Sequence, residues 1–159
     1  MSPKDEVLLE LQRGISKNCI DWENKRVKTI LQRLKQEGIK LTLENIPTII
    51  EETSFRVRSK KYPDECPDLY KKGISCHPRV KDLNCFLCNC PQYNAHYIDN
   101  NLIGKCNANS KHGKYASSKN GTGISIWDCS NCTAYHSPKA VEIYLRNNME
   151  RLQEISASL

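Results

Sequence analysis

Eight of the nine cysteines fall between residues 66 and 132, and three of them stand close together in Asn84-Cys85-Phe86-Leu87-Cys88-Asn89-Cys90-Pro91. A second close pair follows at Cys129-Ser130-Asn131-Cys132. Two residues between thiols let a tight turn present both sulfurs to one ion while the turn amides donate to them. Two such pairs separated by a long insert are how a chain encloses a soft or borderline metal ion. The surrounding composition points the same way. Aromatic residues are 7% and the apolar set, cysteine included, is 38% of the 159 residues. The stretch from 63 to 140 therefore has few large side chains with which to build a core, and metal staples are the usual substitute in small loop-rich modules.

Two priors follow from the rest of the chain. Met1-Ser2-Pro3-Lys4-Asp5-Glu6 shows no basic segment leading into an apolar run, and no window approaches the ~18 apolar residues of a membrane helix. A soluble, cytoplasmic protein with no membrane partner is expected. Disulfides would need an oxidising compartment, and the odd cysteine count leaves a thiol over. The formal charge of +6 invites a nucleic-acid partner, but it counts every cysteine as neutral. Eight metal-bound thiolates with two divalent ions would lower it by four, to about +2, since ligation requires the deprotonated sulfur.

The expected fold class is α plus irregular. A helical amino-terminal domain occupies residues 1–62, a small metal-stapled, loop-rich domain with short strands follows at 63–140, and a carboxy-terminal amphipathic helix closes the chain at 141–159. Ser2 and Pro3 start a first helix with Val7, Leu8, Leu11 and Ile15 on one face. Asp21 caps a second, whose apolar stripe is Val27, Ile30, Leu31 and Leu34 and whose stop is Gly38. Thr42 caps a third through Ile46, Ile49 and Ile50, with Pro47 in its first turn. The alternation of Phe55-Arg56-Val57-Arg58-Ser59-Lys60-Lys61 reads as an exposed basic tail or a short strand. Residues 107–123 are almost wholly polar and read as a turn-rich loop or short hairpin. At the other end Ser137 caps and Pro138 opens a helix with Val141, Tyr144, Leu145, Met149 and Leu152 on one face.

The metal-ligand candidates are Cys66, Cys76, Cys85, Cys88, Cys90, Cys106, Cys129 and Cys132, enough to fill two tetrahedra. A third sulfur two residues past Cys88 tends to point elsewhere, so Cys90 is grouped with Cys66, Cys76 and Cys106, leaving the two close pairs to share the other ion. His77, directly after Cys76, reads as a hydrogen-bond donor to a ligand, and His136, four residues after Cys132, as a further ligand or such a donor. His96 and His112 read as surface histidines. Cys19 lies near an apolar stripe with no base placed beside it, and reads as a buried thiol.

In this order, Cys66, then Cys76-His77-Pro78, then Asn84-Cys85-x-x-Cys88-x-Cys90-Pro91-x-Tyr93, then Cys106, then Asp128-Cys129-Ser130-x-Cys132 with His136, the string resembles the cysteine-rich small domain family. The resemblance covers roughly residues 63 to 144. It implies a metal-binding, zinc-finger-like module that occurs alone or as a tail on larger prokaryotic enzymes, some linked to cobamide synthesis, and it implies no established activity. The first 60 residues lie outside it.

Zinc suits such thiolate sites because it accepts four sulfurs in a closed structural site and needs no redox partner. An iron-sulfur cluster held by four dispersed cysteines is the alternative. A closed four-cysteine site has no open position for water, and the chain shows neither a His-Glu-x-x-His helix nor a defensible Ser/His/Asp set. The expected function is a non-catalytic scaffold or adaptor for a protein or RNA partner. Two alternatives stand beside it. One is a nucleic-acid-binding regulator in which residues 24–61 form a helix-turn-helix, with Arg56, Arg58, Lys60 and Lys61 offered to DNA or RNA phosphates. The other is an iron-sulfur redox or sulfur-transfer accessory protein.

Overall fold

The computed structural model describes residues 26–88, 93–98, 101–106, 114–117, 125–128, 132 and 135–159, with the backbone alone in the four middle stretches between 93 and 128. The expected first helix, the Asp21 cap, Cys19 and His112 lie outside these residues, as do the side chain of His96 and all of Lys119–Gly123.

Helix α1 spans Lys28–Gln36, and its stripe of Ile30, Leu31 and Leu34, with Val27 at the cap, is buried. Gly38 ends this segment at φ +74°, a left-handed conformation that a residue with a Cβ adopts only at a cost. Thr42 then accepts a hydrogen bond from the Asn45 amide over 3.2 Å, which sets up a 3₁₀ turn at Leu43–Asn45. Helix α2, Ile46–Glu52, follows with Pro47 in its first turn, where the missing N–H is no loss. It buries Ile46 and Ile49.

The segment expected as a tail or strand is instead helix α3, Phe55–Lys61. Ser54 accepts from the Val57 amide over 3.3 Å, a cap that the period-2 pattern obscures. Winding the segment into a helix separates basic residues that a strand would have lined up on one face, and it turns Arg58 inward to 2% exposure. Phe55 packs edge-on against Tyr70, ring centroids 5.6 Å apart. A 3₁₀ turn at Pro63–Glu65 and the single turn of α4, Pro67–Tyr70, complete this part.

The described strands are β1 (Tyr93–Ile98), β2 (Asn101–Cys106), β3 (Lys114–Ser117) and β4 (Ser125–Asp128), in the order β1-β2-β4-β3. β1 and β2 are antiparallel, with Tyr93 opposite Cys106 and Ile98 opposite Asn101. β4 runs parallel to β2 at Ile103 and Ser125, and antiparallel to β3.

The last helix, α5, covers Pro138–Ala157. Ser137 caps it by accepting from the Ala140 amide over 3.1 Å, and Pro138 occupies its first turn. Val141, Tyr144, Leu145, Met149 and Leu152 are all buried. They join the apolar faces of α1 and α2 and the pair Phe86-Leu87 in one cluster. The core thus runs across residue 62 and takes in the middle of the first cysteine pair. Among the described residues no helix is long and apolar enough to cross a membrane.

Candidate metal centre

The Cys85–Cys88 turn is fastened to the helical core from both sides. The Phe55 amide donates to the Leu83 carbonyl and the Cys85 amide to the Thr53 carbonyl, each over 2.8 Å, so residues 83–85 pair as a short bridge with 53–55. Asn84 between them is fully buried. Its Nδ2 donates to the Ile50 carbonyl over 2.8 Å, while its Oδ1 accepts from the Phe86 amide over 2.8 Å and from the Thr53 hydroxyl over 3.1 Å. The Cys88 amide then closes the turn onto the Cys85 carbonyl over 3.1 Å. Phe86 and Leu87, 0% exposed, fill the core between the two sulfurs' positions in sequence.

Other candidates gather at the same turn. Cys66 starts α4, its carbonyl accepting from the amides of Leu69 and Tyr70. The phenol at the end of that single turn hydrogen-bonds the Cys85 thiol. The Cys76 sulfur lies 3.1 Å from Nδ1 of His77, whose ring stacks on that of His136 at 4.0 Å between centroids, tilted by 34°. His136 is tied in turn to the knuckle, since its carbonyl accepts from the Asn84 amide over 2.8 Å. Cys88 receives a hydrogen bond from the Arg26 guanidinium, Nη2 to Sγ 3.5 Å.

The electrostatics follow from this crowding. Burial pushes the Cys85 thiol up to about 12, the Tyr70 hydrogen bond opposes this, and Cys88 and Cys76 add to it. Cys66 is raised by burial and then by Cys88, against the Leu69 amide and Arg26. Burial first, then His77, holds His136 down to about 3, so its imidazole is neutral in the fold. Cys66 therefore feels Cys88, and Cys76 feels Cys85.

Of the remaining candidates, Cys132 is buried within the helical core cluster, which also holds Tyr135. Cys106 ends β2 opposite Tyr93, with only its backbone described, and Cys90 and Cys129 lie outside the described residues. Among the described residues no three His, Cys, Asp or Glu side chains come close enough together to hold a metal ion. Two of the thiols do receive polar partners, Cys88 from the Arg26 guanidinium and Cys85 from the Tyr70 phenol. Arg26 and Tyr70 carry no sequence signal for this role, since each reaches its sulfur only through tertiary structure.

The residues expected to face phosphates are placed differently. Arg58 is buried, its Nη2 2.6 Å from Glu65, and cannot reach a polyanion. Arg56 pairs with Glu51, and Lys61 pairs with Glu52 and lies 3.7 Å from Glu37. Lys60 is exposed. The helix-turn-helix reading thus loses its basic strand to α3, with Arg58 in a buried ion pair and Arg56 and Lys61 in exposed ones.

No protein-family model, no curated protein and no solved structure matches this chain.

Proposed function

We propose that the chain is a non-catalytic scaffold in which metal-bound thiolates staple the loop-rich, short-stranded region from 63 to 140 onto a helical body that docks a protein partner. The observation that carries this reading is the burial of Phe86 and Leu87, the residues between Cys85 and Cys88, in the core shared by α1, α2 and α5. A metal gripping that turn would brace the helical body as well as the loops. The holding residues would be drawn from Cys66, Cys76, Cys85, Cys88, Cys90, Cys106, Cys129 and Cys132, with the pairs 85/88 and 129/132 sharing one ion. When bound, zinc would supply cross-links and no chemistry, because four thiolates leave no position for water.

A protein partner is favoured over RNA or DNA because three of the four candidate cations are engaged in ion pairs within the chain. Chelation tests the scaffold. Binding energy in such a region is folding energy, so removing the metal should abolish the near-ultraviolet dichroism and lower the melting temperature. A chelated protein that keeps both would contradict the reading.

A further inference from the structure

We infer that the groove between the 3₁₀ turn Leu43–Asn45 and α5 docks a basic segment of a protein partner, one with an apolar side chain beside its cations. This rests on the docking part of the reading above and is independent of the metal. The groove holds about 850 Å³, within the ~300–1,000 Å³ range of binding clefts. Asn148 and Met149, 5% and 6% exposed, form its floor, with Leu43 and Glu44 on the turn side and Glu150 and Glu154 on α5. Asn148 points to a ligand. It stands in the buried stripe of α5 among Leu145, Met149 and Leu152. Its Nδ2 donates to the Tyr144 carbonyl over 2.8 Å, and its Oδ1 is left for a donor in the groove. An apolar residue would fill this position without desolvating an amide, so asparagine here costs the fold something that a bound donor offsets.

The walls specify the occupant. Leu43 is 54% exposed, one of two large apolar side chains left so open among the described residues. Glu150 and Glu154 are exposed one turn apart on α5, a like-charged spacing that disfavours a helix until a cation comes between them. Glu44 adds a third carboxylate. The two arginines of the lining are engaged or withdrawn: Arg146 donates to Glu142 over 3.2 Å, and Arg151 is half-buried with a partner of its own. Three carboxylates and an amide oxygen select cationic N–H donors, while Leu43 and Met149 select an apolar side chain next to them. A peptide segment carrying arginine or lysine beside leucine supplies both. The chain as a whole carries +6, so most of its surface repels such a segment and this groove is set apart.

The test uses the full chain and a fluorescein-labelled peptide of repeated Leu-Arg-Arg-Leu, followed by anisotropy at low salt, with each variant also melted thermally. Replacing Glu150→Gln and Glu154→Gln together should weaken binding about 10-fold or more, and Leu43→Ser should weaken it about 3-fold or more. Asp64→Asn with Asp68→Asn, the same charge change on another face, should leave it within about twofold. Asn148→Leu should weaken binding while holding or raising the melting temperature, a split that a merely structural residue would not give. Should Asn148→Leu fail to fold, the exposed glutamates decide alone. Equal losses in the two double variants would overturn the inference. Displacement of the peptide by spermidine, with Leu43→Ser binding as wild type does, would also overturn it by marking a site for a small polyamine. A wild-type chain that binds no peptide would overturn this inference alone, since the scaffold is tested separately by its response to chelation.

Discussion

The Arg58 guanidinium stands 2.6 Å from the Glu65 carboxylate, and both side chains are withdrawn from water, at 2% and 11% exposure. A residue that the pattern offers to solvent is thereby an internal tie between α3 and the turn before Cys66. Without Arg58 the Glu65 carboxylate keeps the longer contact with the more exposed Arg33, at 3.5 Å, which offsets a buried charge less well. Arg58→Met should cost about 3–5 kcal/mol in urea unfolding, and adding Glu65→Leu should restore much of the loss. An Arg58→Met protein of unchanged stability would show that the pair does not hold the fold.

Asn84 satisfies three polar groups of the core at once, the Ile50 carbonyl, the Phe86 amide and the Thr53 hydroxyl. Asn84→Ala takes this partner from the Phe86 amide and the Ile50 carbonyl in a fully buried site, while the Thr53 hydroxyl keeps the Ile49 carbonyl over 2.7 Å. A loss of about 3 kcal/mol is expected in thermal denaturation. Asn84→Asp keeps the acceptor but puts a carboxylate against the Ile50 carbonyl, and should also destabilise.

Acid should weaken the fold through His136. Its imidazole is held down to about 3 in the fold against an ordinary 6.5, so between these values the unfolded chain binds the extra proton. Stability then falls as pH is lowered from 6.5, by up to about 1.4 kcal/mol per pH unit. The urea midpoint at pH 5 and pH 7, with metal content followed alongside, measures this. His136→Asn should flatten the dependence, and an unaltered slope would remove His136 as its source.

Nucleic acid should bind poorly. With Arg58 buried and Arg56 and Lys61 paired to carboxylates, the 56–61 segment keeps few cations with which to displace counterions. Fluorescence titration with duplex DNA and tRNA at low salt should show little retention and little dependence of log affinity on log salt. Tight binding with a steep salt slope would favour the regulator reading instead.

How far the sequence carries depends on the range of the interactions that decide each element. α5 was readable because its cap is local: Ser137 and Pro138 stand within a turn of the first buried residue. The stripe of Val27, Ile30, Leu31 and Leu34 likewise declares its buried face through helical spacing alone. α3 was not readable, because seven residues fit either period. What decides it is Phe55 meeting Tyr70 and Arg58 meeting Glu65, contacts made farther along the chain. At the candidate centre the spacing identifies Cys85 and Cys88 as ends of one turn, and the amide of Cys88 does fold back to the Cys85 carbonyl. It gives no hint that Arg26 and Tyr70 reach the sulfurs of that turn, since these are tertiary neighbours.

Elemental analysis of anaerobically purified protein, read together with its visible absorption, tests the central claim most directly. The account predicts about two zinc ions per chain, a colourless solution, and loss of that zinc on substitution of Cys85 or Cys88 by serine. Protein that contains no stoichiometric metal would contradict the scaffold, and brown protein carrying iron and acid-labile sulfide would replace zinc with a cluster.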